Sequence, residues 1–172
     1  MGLYRHQPQV LLRQTAALFV ALALLAPACR SPTPRADFHF TCPAGDPLRG
    51  IYSPKRLEVL GTCVTFDGTV LTTDRRSDGD LHVLLRPDPD YTHLLNVENV
   101  NEGGMVVEIV PGQAIPPPTV GEHVRVFGTW VLDEHNGRNE IHPVWAIEDL
   151  TTGVGTQALP PDPPQYTGDS ND

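Results

Sequence analysis

The sequence is poor in basic residues and in aromatic residues. It has 12 lysines and arginines against 21 aspartates and glutamates, which gives a formal net charge of −9. An acidic surface repels the phosphate backbone of nucleic acids and the head groups of anionic lipids. Aromatic side chains, on which bases stack, make up only 6% of the chain. The composition therefore disfavours nucleic acid as a partner, and it disfavours membrane docking through protein charge.

The chain also lacks the short motifs of the common enzyme classes. It contains no G-x-S-x-G elbow, no P-loop, no H-E-x-x-H and no C-x-x-C. No catalytic residue is predicted on this basis, and a non-enzymatic role is favoured.

The N-terminal 28 residues have the layout of a signal peptide. Arg5 and Arg13 form a basic region, Ala16–Ala26 is an uncharged apolar run, and small residues at Ala26 and Ala28 precede Cys29. The run is shorter than the roughly 20 residues of a transmembrane helix. We therefore predict an extracytoplasmic protein of the cell envelope, and removal of residues 1–28 leaves ten basic residues against 21 acidic ones.

Cys29 stands where a bacterial lipobox places its acylated cysteine. The prediction is a membrane-anchored lipoprotein whose lipid is carried by Cys29. Two alternatives remain: ordinary secretion after cleavage behind Ala28, and an uncleaved anchor.

The remaining length fits one domain. Residues 29–37 are predicted to be a tether, residues 38–150 a folded domain, and residues 151–172 a disordered, acidic, proline-rich tail. Cys42 and Cys63 are expected to form a disulfide, because exported proteins retain such bonds. Two buried free thiols are the alternative, and a catalytic thiol is less favoured because no cationic neighbour in sequence would activate it.

The domain has the pattern of an all-β protein, with alternating apolar residues and frequent turn signals. Tyr91–Asn96 is predicted to form a single helical turn, and Pro116–Pro118 lie in an extended connection. Five strands in about 100 residues favour a small OB-fold-like barrel, with an immunoglobulin-like sandwich as the alternative. The predicted strands are Arg56–Phe66 with an extension through Thr73, Leu81–Arg86, Met105–Val110, His123–Leu132 and Ile141–Ile147.

The last predicted hairpin is rich in polar residues. If Asn136-Gly137 is a two-residue turn, Asp133 faces Glu140 across the ladder. A four-residue loop would change that register. With the two-residue turn, five polar side chains share one face, with Asn139 beside them: Asp133, His135, Arg138, Glu140 and His142.

Two acids directly opposite one another need a cation. Arg138 can supply it, or Asp133, Glu140 and His142 can bind zinc or a similar divalent metal, the only cofactor that the sequence suggests. The alternatives are a solvated hairpin tip and a ligand-binding surface.

A second polar patch lies on the second and third predicted strands. Alternation places Asp80 and His82 on one face, and Glu108 is expected to meet His82 if the two strands are adjacent. In an OB-fold these side chains would border one groove with the last hairpin. The alternative is a cross-strand ion pair.

Several of these segments together resemble an uncharacterised family of bacterial exported proteins with an OB-fold-like pattern, DGD-x-H … VVEIV … NEIHPV. The resemblance covers Tyr52 to Ile147, implies that the polar motifs belong together, and carries no assigned reaction. The Asp78-Gly79-Asp80 segment also resembles the thermonuclease form of the OB barrel. The matching segments are Tyr52–Leu60 with Cys63, Asp78–His82, Leu94–Asn96 with Asn99, Val106–Val110 and Asn139–Val144.

The sequence thus predicts an exported, lipid-anchored OB-fold-like module that binds a small ligand or an envelope protein. One alternative is a metal-assisted hydrolase, such as a phosphodiesterase, that uses the acidic and histidine residues of the last hairpin. The other is a structural envelope lipoprotein without a small ligand.

Overall fold

The computed structural model describes Gly2 and residues 38–161. Apart from Gly2, the predicted signal peptide lies outside the described residues, as do Cys29, the predicted tether and residues 162–172. No helix in the described part of the chain combines the length and the apolar composition needed to cross a bilayer.

The described chain is mostly β-sheet, which confirms the all-β prediction. One short α-helix, α1 (Val97–Glu102), and two 3₁₀ turns, Pro54–Arg56 and Pro89–Leu94, accompany the strands. The six strands are β1 (Leu57–Arg75), β2 (Leu81–Pro87), β3 (Met105–Ile109), β4 (His123–Asp133), β5 (Arg138–Asp149) and β6 (Gly155–Gln157).

The strands are hydrogen-bonded in the order β3-β2-β1-β4-β5-β6, and neighbours in this order are antiparallel. A further, parallel pairing joins β3 to β5 through Val106 opposite Glu140 and Val107 opposite Ile141. The pairings therefore lead from β1 through β2, β3, β5 and β4 back to β1. This circuit sets β2, β3 and β5 side by side.

The first strand is long, and its register shifts at three places, between Val59 and Gly61, between Gly61 and Val64, and between Val70 and Thr72. Such irregularities bend a strand and increase its twist. A single 19-residue strand therefore pairs with β4 along its first part and with β2 along its second.

Gly128 lets β4 approach β5 closely where their register also shifts. A Cβ atom at this position would lie 2.5 Å from the carbonyl oxygen of Pro143 and would overlap the side chain of Ile141. The absence of a side chain at residue 128 thus sets the path of β5 just beyond His142.

Side chains alternate across the strands, so each strand has a core face and an opposite face. Odd-numbered residues of β2 and β3 enter the main hydrophobic cluster with Phe66, Val126 and Ile141. The opposite face carries a smaller cluster formed by Ile51, Leu57, Val110 and Val131. Part of the opposite face is therefore also buried.

The segment before β1 packs on the sheet. Phe40 stacks on Phe127 with ring centroids 4.4 Å apart, and the hydroxyl of Thr129 donates a hydrogen bond to the Pro47 carbonyl at 2.7 Å. A disulfide between Cys42 and Cys63 joins this segment to β1, which confirms the predicted pairing.

Two features differ from the sequence predictions. The domain continues past Leu150, because β6 pairs with Ala146–Glu148 where a disordered tail was expected from Thr151. The predicted helical turn at Tyr91–Asn96 is a 3₁₀ helix at Pro89–Leu94, and α1 follows it.

Candidate functional site

Three adjacent strands bring five ionisable side chains together on the face opposite the main core. Asp80 immediately precedes β2, His82 lies on β2, Glu108 on β3, and Glu140 and His142 on β5. All five have even numbers, whereas the core-facing residues Leu81, Ile109 and Ile141 on the same strands have odd ones. We call these five residues the carboxylate–histidine cluster.

His142 lies between the three carboxylates. Its Nδ1 is 3.0 Å from Oε2 of Glu108 and 3.8 Å from Oε2 of Glu140, and its Nε2 is 4.0 Å from Oδ2 of Asp80. On the far side of Glu108, Nε2 of His82 lies 2.9 Å from Oε1. One donor atom from each of Asp80, Glu108 and His142 can be chosen so that all three lie within 4.8 Å of one another.

The cluster has a buried end and a partly exposed rim. Glu140 is fully buried, and Glu108 and His142 are each only 1% exposed. The side chains of Asp80 and His82 are 10% and 18% exposed. The cluster therefore meets solvent on the β2 side and is closed at the β5 side.

Several polar atoms at the buried end lack a hydrogen bond of acceptable geometry, although charged groups lie near them. Among the described residues, these atoms include both carboxylate oxygens of Glu108, Oε2 of Glu140 and both ring nitrogens of His142. A buried polar atom left without a hydrogen bond costs about 1–3 kcal/mol. The buried end of the cluster therefore lacks hydrogen bonds that would compensate for the burial of these atoms.

Burial and neighbouring charges shift the pKa values of three residues of the cluster. Burial raises the pKa of Asp80 to about 6. Burial alone would lower the pKa of His142, but the neighbouring carboxylates of Glu140, Glu108 and Asp80 outweigh it and raise that pKa. The pKa of Glu140 is lowered, because His142 and Arg138 together outweigh the effect of burial.

Arg138 compensates one of the acids. Its Nε donates a hydrogen bond to Oε1 of Glu140 at 2.8 Å, while one terminal nitrogen donates to both carboxylate oxygens of Glu102 at 2.9 Å. Two carboxylates therefore share Arg138, that of Glu140 on β5 and that of Glu102 at the end of α1. Asp80 and Glu108 have no arginine or lysine within ion-pair distance among the described residues.

An asparagine network fixes β5 beside the cluster. The Asn96 side chain accepts from the backbone N–H of Asn99, and the Asn99 side chain accepts from that of Asn96, which forms a capping box at the start of α1. Asn99 also bonds the main chain of Asn139, and the Asn139 side chain donates to the Leu94 carbonyl at 2.9 Å. These bonds hold the strand residue that immediately precedes Glu140.

The predicted register of the last hairpin is wrong. Asp133 pairs with Arg138, so the loop has four residues, and Val131 instead of Asp133 lies opposite Glu140. The Asp133 carboxylate accepts hydrogen bonds from the backbone N–H of His135 at 2.8 Å and from the Asn136 side chain at 2.7 Å. Asp133 therefore caps the loop, an arrangement that a two-residue turn has no room for.

The predicted metal ligands are consequently not assembled as a set. Glu140 and His142 are neighbours, but Asp133 caps the loop and lies 3.6 Å from a guanidinium nitrogen of Arg56. Within residues 38–161, the group near enough to share one ion is Asp80, Glu108 and His142.

Of the other candidate residues, some lie in or beside the cluster and others do not. The predicted contact between His82 and Glu108 is confirmed, and Arg138 adjoins the cluster through Glu140. His135 lies in the exposed loop, and Asn139 is engaged with α1. Asp80 was missing from the predicted ligand set, although its alternation with His82 on one strand face was readable from the sequence.

Comparisons with models of known protein families, with curated proteins and with solved structures find no match for this chain.

Proposed function

We propose that this protein is an exported, lipid-anchored binding module of the bacterial cell envelope, built on an OB-fold-like barrel. The closed circuit of pairings through β1, β2, β3, β5 and β4 supports the barrel, because an OB-fold is a five-stranded Greek-key barrel. An immunoglobulin-like sandwich would instead divide its strands between two sheets.

The carboxylate–histidine cluster is the observation on which the binding function rests. Burying ionised groups is costly, and well-packed apolar residues would stabilise the same strands equally well or better. A fold that nevertheless buries Glu108, Glu140 and His142 together, and that shifts the pKa values of Glu140 and His142, has the features of a functional site. The cluster also lies on β2 and β3, the strands that carry ligand surfaces in OB-folds.

Export and anchoring are supported by the leader, by Cys29 and by the disulfide. Disulfides persist outside the cytoplasm, so the Cys42–Cys63 bond agrees with an extracytoplasmic location. The resemblance to a family of exported proteins points the same way. The membrane, reached through a lipid on Cys29, is one proposed partner, and a small ligand or an envelope protein is the other.

A metal-assisted hydrolase is the competing function. Catalytic metal sites keep a coordination position open for water or substrate. Glu108 and His142 are each 1% exposed, so a substrate as large as a phosphodiester has little access to an open position there, which favours binding over turnover. Ordinary secretion is the alternative to anchoring.

Metabolic labelling with a fatty-acid analogue tests the anchoring. We expect the wild-type protein to be labelled and to fractionate with membranes, and the Cys29→Ser protein to be unlabelled. A wild-type protein that is unlabelled and released after cleavage behind Ala28 would establish ordinary secretion instead.

A panel of phosphodiester substrates tests the binding function against hydrolysis. We expect the purified Cys29→Ser protein to show no turnover with or without added divalent metal. Turnover that is lost in a Glu108→Gln variant would replace the binding module with a hydrolase.

A further inference from the structure

We propose that Asp80, Glu108 and His142 bind one divalent transition-metal ion, for which Zn²⁺ serves as the probe. This inference rests on the proposed function, because it names the class of ligand that the binding module takes. It differs from the ligand set expected from the sequence, since Asp80 and Glu108 take the places of Asp133 and Glu140.

The three donor atoms are close to the spacing that a shared ion requires. Zinc bonds to nitrogen and oxygen are about 2.0–2.2 Å long and tetrahedrally arranged, so two donor atoms of one ion lie about 3.4 Å apart. The chosen donor atoms of Asp80, Glu108 and His142 all lie within 4.8 Å of one another. Closure of the widest of these separations by about 1 Å, through rotation of the carboxylate side chains, would bring all three onto one ion.

The unsatisfied atoms give an independent indication of a ligand. Both carboxylate oxygens of Glu108 and both ring nitrogens of His142 are buried and lack a well-aligned hydrogen bond among the described residues. Each side chain is 1% exposed, so hydration at the surface does not replace the missing bonds. A bound cation would engage the lone pairs of both groups at once.

The charge of the cluster also favours a cation. Asp80, Glu108 and Glu140 carry three carboxyl groups, and Arg138, which Glu102 shares, is the one guanidinium in contact with them among the described residues. A divalent ion would neutralise the remaining negative charge at a place where water cannot screen it. Two protonated histidines are the competing way to balance the charge, and in that case no metal would bind.

The donor chemistry selects the class of metal. Imidazole nitrogen suits zinc, copper, iron and nickel, whereas sites for calcium and magnesium consist of oxygen donors. A histidine with two carboxylates therefore favours a transition metal over calcium. The partly exposed rim at Asp80 and His82 gives the ion a route from solvent to the buried end.

Calorimetry on the full chain carrying Cys29→Ser provides the first test. The protein is exported, purified, stripped with a chelator and titrated with zinc chloride, with calcium chloride as the comparison. We expect one zinc ion per chain, a higher melting temperature with zinc, and weaker binding of calcium. X-ray absorption at the zinc edge should show nitrogen and oxygen ligands and no sulfur.

Matched variants test whether Glu108 and Asp80 bind the zinc ion. Glu108→Gln and Asp80→Asn keep the shape of each side chain and remove its charge, and each should weaken zinc binding by about 100-fold or more. The control is the partly exposed pair of His123, at the start of β4, and Asp88, whose side chains lie 2.8 Å apart and take no part in the cluster. His123→Gln and Asp88→Asn should leave zinc binding unchanged.

The possible outcomes separate this inference from the proposed function. Failure of the wild-type chain to bind zinc, wild-type affinity in both Glu108→Gln and Asp80→Asn, or sulfur ligands would each overturn the metal site. Circular dichroism identifies a variant that does not fold, and the other variant then decides. Zinc binding in the titration, together with a wild-type chain that cells do not acylate, would overturn the anchoring and leave the metal site standing.

Discussion

The side-chain amide of Asn99 pairs with the main chain of Asn139 in the way that a neighbouring strand would. The N–H of Asn139 donates to Oδ1 of Asn99 at 3.0 Å, and Nδ2 of Asn99 donates to the Asn139 carbonyl at 2.7 Å. Asn99 is fully buried. One helical side chain therefore completes the hydrogen bonding of β5 immediately before Glu140.

Replacing Asn99 with alanine should lower the free energy of unfolding by about 2–4 kcal/mol, because the N–H and C=O of Asn139 would lose their partners in a buried place. Asn101 is the matched control: it is exposed, and within the described part of the chain its side chain makes a single hydrogen bond, to Glu98 at 3.5 Å. Asn101→Ala should change stability by within about 0.5 kcal/mol. Urea denaturation of both variants measures the difference, and equal effects would contradict the pairing described for Asn99.

Two ion pairs on the same strand should differ in their contribution to stability. Arg125 donates two hydrogen bonds to the Asp67 carboxylate, at 2.9 and 2.7 Å, and the Asp67 side chain is 9% exposed. The Asp74 side chain, paired with Arg76 at 3.0 Å, is 65% exposed. Asp67→Asn should cost about 1–2 kcal/mol, and Asp74→Asn about 0–0.5 kcal/mol. Thermal melts in low and high salt test this, and a larger loss for Asp74→Asn would refute it.

The disulfide should stabilise the domain by restricting the unfolded chain. Cys42 and Cys63 are 21 residues apart, and the chain-entropy relation gives about 3 kcal/mol for a loop of this size. In the Cys29→Ser background, the oxidised protein should show no titratable thiol under denaturing, non-reducing conditions. The further changes Cys42→Ser and Cys63→Ser should lower the free energy of unfolding by that amount. Detection of two thiols in the oxidised protein would contradict the bond.

The carboxyl group of Asp149 should titrate below its ordinary range. The Thr152 hydroxyl and the Thr151 N–H donate to its two oxygens, each at 2.7 Å, and they lower the pKa of Asp149. The resulting stabilisation is present above the pKa of the unfolded chain and is lost as the pH falls through the lower, folded pKa. In Thr152→Val, carboxyl NMR should show the pKa of Asp149 moving up toward its ordinary value.

Thr92 provides the control for that titration. Its hydroxyl donates to the Pro89 carbonyl, so Thr92→Val removes a similar hydrogen bond that involves no carboxylate. The pKa of Asp149 should be the same in Thr92→Val as in the wild type. An unchanged pKa in Thr152→Val would show that the hydroxyl does not cause the shift.

The strands were predictable because apolar and polar residues alternate along a strand whose two faces differ in burial. The same alternation placed His82 and Glu108 on one face, and their contact followed once β2 and β3 proved adjacent. The pairing of β3 with β5 could not be predicted from the sequence. It joins only two pairs of residues from distant parts of the chain, and it leaves no recognisable pattern in either strand. Asp80 therefore could not be connected to His142 from the sequence.

The last hairpin shows why local turn signals do not fix a register. Asn136-Gly137 favours a two-residue turn, yet Gly137 is also suited to end a four-residue loop, where it adopts a positive φ of 70°. The Asp133 carboxylate decides between the two, because it satisfies backbone N–H groups within the longer loop. Helix α1 was missed for a related reason: six residues carry too little periodicity, and only its capping box signals it.

The short strand β6 has a consequence for the solubility of the protein. It covers Ala146–Glu148 on β5, and Phe38 packs against Gly155 at its start. A chain cut at Leu150 would leave this stretch of β5 as an open edge, with unpaired N–H and C=O groups beside the apolar side chains of Ala146 and Ile147. Open edges of this kind recruit strands from other molecules. By pairing with Ala146–Glu148, β6 replaces this edge with a strand of only three residues, and we expect that short edge to limit self-association and fibril growth.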